Sequence, residues 1–119
     1  MEKLVIIGTH AEDDPEKATL VWVMACTATA SEMEPVVVLQ GMGVYMARKN
    51  YAAGIRVPSF PPVDELIEAF QESKGKLLVC APCLNKRNLG QEDLLEGATI
   101  INAPTVIKEI GEATQVITY

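Results

Sequence analysis

The chain has 119 residues, 49% hydrophobic and only 5% aromatic, which fits one compact domain with an aliphatic core and no disulfide staples. Ten basic residues against sixteen acidic ones leave a formal charge of -6. That field repels phosphate backbones and anionic lipid, so nucleic acid and membrane surfaces are poor partners.

Leu4 to Ile7 is a short continuous apolar run closed by Gly8-Thr9-His10, the pattern of a buried parallel strand. Asp14 is placed to cap a helix that begins at Pro15 and runs to about Ala30. From Ala18 to Cys26 nearly every residue is apolar. A helix apolar all round is buried on more than one side. One side is expected to meet the sheet and the other a neighbouring subunit. Pro35 to Leu39 is the second strand, Gln40 to Gly43 a turn, and Val44 to Asn50 a short helix.

Gly54 to Pro62 reads as a loop, with Ile55, Val57 and Phe60 expected to be exposed. Val63, Leu66, Ile67 and Phe70 keep helical spacing, and Gly75 is expected to end that helix. Leu77 to Cys80 is the third strand, Gln91 to Glu96 a short acidic helix, and Thr99 to Asn102 the fourth strand. Thr105 to Ile110 is a helix and Gln115 to Thr118 a fifth strand. Strands alternating with helices imply a mainly parallel five-stranded sheet covered on both faces, in one α/β domain over residues 1–119.

In such a sheet, sites form beyond the carboxyl ends of the strands. That edge gathers His10, Gln40 to Gly43, Cys80 with Cys83, and Asn102-Ala103-Pro104. Cys80-Ala81-Pro82-Cys83 is the informative segment, because it follows a strand directly and precedes the cations Lys86 and Arg87. Thiolate is the reactive form of cysteine, and nearby cations or backbone N–H groups favour it. Cys80 is therefore expected to be the more reactive thiol and Cys83 to be partly covered, with Cys26 inert inside the first helix. The alternative for Cys80 is simple packing as a small buried hydrophobe. Its pairing with Cys83 and the cations favours chemistry. His10 is a candidate for the same cleft, although a histidine in a loop is more often structural.

Three cysteines, with no apolar signal region after Met1-Glu2-Lys3 and no run of the roughly 20 apolar residues of a membrane span, point to a cytoplasmic address and to redox, metal or sulfur chemistry. A thioredoxin arrangement disagrees with the position of the motif after several strand-helix units. Zinc needs a second closely spaced ligand pair, which is missing, so no metal is expected. Gly41-Met42-Gly43 lacks the third glycine and the lysine of phosphate-binding loops, and no cofactor is expected.

Over almost its full length the chain resembles the DsrE/DsrF-like family of small sulfur-relay proteins. The resemblance rests on Gly8-Thr9-His10 through Asp14-Pro15-Glu16-Lys17-Ala18, on Val36-Val37-Val38-Leu39 with Gly43-Val44, and above all on Leu78-Val79-Cys80-Ala81-Pro82-Cys83-Leu84-Asn85-Lys86-Arg87-Asn88-Leu89. It implies a three-layer α/β/α domain, assembled as a trimer or hexamer, with a cysteine that carries sulfur as a persulfide between donor and acceptor proteins. Cys80 matches the family's cysteine after the third strand, and Cys83 matches a second cysteine found in some members. Pro82 departs from the small residue expected there and should hold Ala81 extended. The leading expectation is a sulfur carrier in which Cys83 releases the sulfur by closing a disulfide. The alternatives are a dithiol redox protein using Cys80 and Cys83, and a non-enzymatic oligomeric module that binds a small ligand or metal at subunit contacts.

Overall fold

A computed structural model covering residues 1–119 shows five parallel strands in the order β4-β3-β2-β1-β5. The strands are β1 (Lys3–Gly8), β2 (Glu34–Leu39), β3 (Lys76–Cys80), β4 (Ala98–Ile101) and β5 (Gln115–Thr118). The helices are α1 (Pro15–Ala30), α2 (Val63–Glu72), α3 (Ala81–Lys86) and α4 (Ala103–Glu112). Alternation along the strands divides the core. Leu4, Ile6, Val37, Leu39, Leu77 and Val79 pack with Val21 and Trp22 of α1 and with Ile67 and Phe70 of α2. Val5, Val36, Val38, Leu78 and Ile101 face the other way and are covered by Val106 of α4. The expected α/β/α layering is present, and the sheet is parallel throughout.

Local chemistry explains most element ends. Asp14 caps α1, its carboxylate accepting the Lys17 N–H at 3.2 Å. Gly75 lies one residue beyond its expected place. The left-handed residue that ends α2 is Lys74, and Gly75 follows it with its N–H on the Phe70 carbonyl. A side chain at Gly75 would collide with the Phe70 ring. The two short helices expected after β2 and before β4 are tighter 3₁₀ turns, at Gly41–Ala47 and Gln91–Asp93. Ile55 is buried in the main core, contrary to the expectation that it is exposed, because the 3₁₀ turn at Ala52–Gly54 folds it inward.

α1 is less completely buried than its composition suggests. Val21, Trp22, Ala25 and Ala28 are buried, while Leu20, Val23 and Met24 stay half-buried on the remaining face. Cys26 packs beside α2, with its thiol donating to the Leu66 carbonyl at 3.3 Å.

At the amino edge, the Glu109 carboxylate on α4 lies between Lys3 (3.0 Å) and Lys76 (2.9 Å) with only 7% of its side chain exposed. Burial alone lifts its pKa, but Lys76 and Lys3 outweigh that and hold it below the usual carboxylate range. The stability it contributes is present above that range and lost as pH falls through the lowered value. Glu109→Ala should cost about 2 kcal/mol at neutral pH, discounted for the exposure of Lys76. The difference from wild type should shrink towards strongly acid pH, as read from urea midpoints. An equal difference at both pH values would remove the ion pairs from the explanation.

Candidate functional site

β3 delivers its last residue, Cys80, to the carboxyl edge, where it becomes the N-cap of α3. Ala81 is helical at once, so the expectation that Pro82 holds it extended is overturned. The reason is that the first N–H groups of a helix have no intrahelical acceptor, so a proline in the first turn forfeits no hydrogen bond. Cys83 thereby falls on the first turn of α3, one turn after Cys80. Both thiols are half-buried and free. α3 closes on the left-handed Asn88, with the Leu89 N–H on the Leu84 carbonyl, so the cysteine turn is fixed at both ends.

The donors around the pair are arranged differently from the order along the chain. The Gly41 N–H points at the Cys83 sulfur at 3.2 Å. Arg87 donates to the Cys83 carbonyl at 3.0 Å and lies 5.8 Å from the centre of the Tyr45 ring. Lys86 is exposed at the end of α3. The Cys80 thiol is pushed above its ordinary value, first by burial and then by the Cys83 side chain, while the Cys83 N–H and the Arg87 charge pull it down more weakly.

The sequence places Gly41 at this edge only as part of the Gln40 to Gly43 turn, and it does not point to Tyr45 or Tyr51. Gly41 has φ of +56°, a conformation glycine adopts without strain. The available signal was two glycines one residue apart directly after a strand, the mark of a close backbone approach. Tyr45 stacks on Tyr51 at 5.5 Å, and the Tyr51 hydroxyl accepts the Glu12 N–H at 3.3 Å. These aromatic contacts link the loop after β1 to the cysteine turn.

His10 lies on the same sheet edge, but its hydrogen bond is to Asp13, at 2.7 Å, and not to a cysteine. The Ala11 N–H and then His10 hold the Asp13 carboxyl below its ordinary value. β2 separates β1 from β3, placing these strands about 10 Å apart. The Gln40–Gly43 turn stands between them. No three His, Cys, Asp or Glu side chains gather as a metal-binding group. Cavities of about 540 and 340 Å³ open elsewhere, the first around Glu68, Phe70 and Glu96, the second around Arg48, Asp64 and Leu95. Neither touches a cysteine.

The family model of the DsrE/DsrF-like family matches residues 2–119 of this chain. The chain belongs to the DsrE/DsrF-like family. Among relatives of this DsrE/DsrF-like protein, MJ0989 of Methanocaldococcus jannaschii is 32% identical over 117 residues, covering 98% of this chain and 99% of the relative. MJ0760 of the same organism is 27% identical over 112 residues, but the match covers 94% of this chain and only 41% of the longer protein. The fold is similar to the E. coli ychN protein, with a TM-score of 0.83, 16% identity and full coverage of both chains. It is also similar to MTH1491 of Methanobacterium thermoautotrophicum, with a TM-score of 0.77, 16% identity and coverage of 98% and 99%.

Proposed function

We propose that this DsrE/DsrF-like protein is a cytoplasmic sulfur carrier that holds a persulfide on Cys80 for transfer between protein partners. The observation that carries the reading is the position of Cys80: half-buried at the carboxyl end of β3, capping α3, with a second free thiol one helical turn on. Loading proceeds as Cys80–SH plus R–S–SH giving Cys80–S–SH plus R–SH, with the Cys80 thiolate as attacking species. The test is mass spectrometry of the protein after exposure to a low-molecular-weight persulfide. One added sulfur should map to the peptide containing Cys80, and sulfur mapping only to Cys26 or to no cysteine rejects the assignment.

The carrier is proposed to assemble as a trimer or hexamer through the remaining face of α1, where Leu20, Val23 and Met24 are half-buried in the single chain. Val23→Glu would place a charge in that contact and should shift light scattering from the oligomer to a smaller species. A wild-type chain that stays monomeric at micromolar concentration contradicts the assembly.

A further inference from the structure

Cys83 is held more tightly than a spare thiol requires. Its sulfur accepts the Gly41 N–H at 3.2 Å, and its carbonyl is held by Arg87 at 3.0 Å. The Gly41 contact depends on a left-handed glycine in the turn after β2, 42 residues away in sequence. That hydrogen bond holds the Cys83 side chain in one orientation on the first turn of α3. Cys80, by contrast, caps α3 without a side-chain capping hydrogen bond. The pair is therefore asymmetric. One thiol sits at the strand end, and the other is oriented by a backbone donor from a different element.

We propose that the domain discharges its own sulfur: Cys83 attacks the Cys80 persulfide and releases hydrogen sulfide, so the pair acts as a dithiol reductase of sulfane sulfur. This rests on the persulfide reading above. Cys80–S–SH and Cys83–SH give a Cys80–Cys83 disulfide and H₂S. The bond formed joins the two Sγ atoms, and the bond broken joins Cys80 Sγ to the outer sulfur. The electron pair of the broken bond leaves with the outer sulfur, which takes the proton given up by Cys83. Over loading and discharge, the two thiols are oxidised to a disulfide and the sulfane sulfur is reduced to sulfide. An external dithiol, from a protein or a small molecule, then reduces the disulfide by thiol exchange and is itself oxidised. Gly41 is a positioning residue in this scheme: its N–H orients the attacking sulfur.

The experiment loads the full chain with glutathione persulfide, then follows sulfide release above a donor-only blank together with the intact mass. Wild type should release its sulfur as sulfide and end with Cys80 and Cys83 cross-linked. Cys83→Ser should load equally well, retain the added sulfur on Cys80, and release sulfide at least about tenfold more slowly. A semisynthetic chain with a backbone ester in place of the Gly41 amide removes that donor and leaves every side chain in place. It should slow release about tenfold. In a Cys83→Ala background, where the sulfur it orients is gone, the same ester should leave the residual release rate unchanged. Equal retention of sulfur by wild type and Cys83→Ser overturns the reductase and leaves the carrier standing. A protein in which no variant loads overturns both. Disulfide formation without prior sulfur loading also overturns both and makes the pair a plain dithiol redox couple. An ester chain that releases sulfide at the wild-type rate, or an ester that slows release equally in Cys83→Ala, removes Gly41 from the scheme.

Discussion

Cys80→Ser is expected to lower persulfide loading by about a hundredfold or more, because a serine hydroxyl is not ionised at neutral pH and cannot replace a thiolate as the attacking group. The remaining signal should come from Cys83 and should not reside on Cys26, which lies on α1 against α2 with its thiol pushed above the ordinary value by burial. Wild-type loading carries a second signature. Burial, followed by the neighbouring Cys83, raises the Cys80 thiol above its ordinary value, so only a small fraction is thiolate at neutral pH. The loading rate should climb about tenfold per pH unit as pH approaches that raised value, since the thiolate fraction rises in that proportion. Stopped reactions read by intact mass test both statements. A Cys80→Ser protein that loads at the wild-type rate, or a wild-type rate that stays flat from neutral to mildly alkaline pH, excludes Cys80 as the attacking thiol.

Gly43→Ala should be among the most destabilising single-methyl changes in the molecule. A Cβ on Gly43 would run into the Gly8 carbonyl and approach the Thr9 Cα at 3.2 Å, and these are backbone atoms at the end of β1. No rotamer change relieves that contact, so the turn after β2 must lift away from β1. Overpacking of this kind costs about 3 kcal/mol, which lowers Tm by about 10 °C or more in a domain of this size. The same displacement moves Gly41, and with it the donor to Cys83. Alkylation of Cys83 should therefore change alongside Tm. Gly54→Ala is the control, since a Cβ there meets nothing within 4 Å, and it should change stability by no more than about 0.5 kcal/mol. Thermal melts in which the two substitutions behave alike contradict the close approach of β1 and the turn.

The comparison of these two sites separates what local sequence encodes from what it does not. Short continuous apolar runs locate β1, β2 and β3, because a parallel strand covered on both faces buries nearly every side chain. Asp14-Pro15 announced α1 through a hydrogen bond spanning only three residues. Cys80 and Cys83 were legible for the same reason: a strand that ends on a cysteine must place it at the carboxyl edge. The oligomer was inferred from the apolar length of α1, although α2 already covers part of that helix.

The tertiary structure decided the rest. It turned Ile55 into the core, made Ala81 helical before Pro82, and buried Glu109 between two lysines, one of them 106 residues distant in sequence. It set β2 between β1 and β3, which leaves His10 paired with Asp13 instead of a cysteine. It also gave the backbone donor to Cys83. Each of these outcomes depends on which elements become neighbours. A residue's periodicity and type state which face it seeks, whereas the partner across 42 or 106 residues is fixed only when strand order and packing bring the two together.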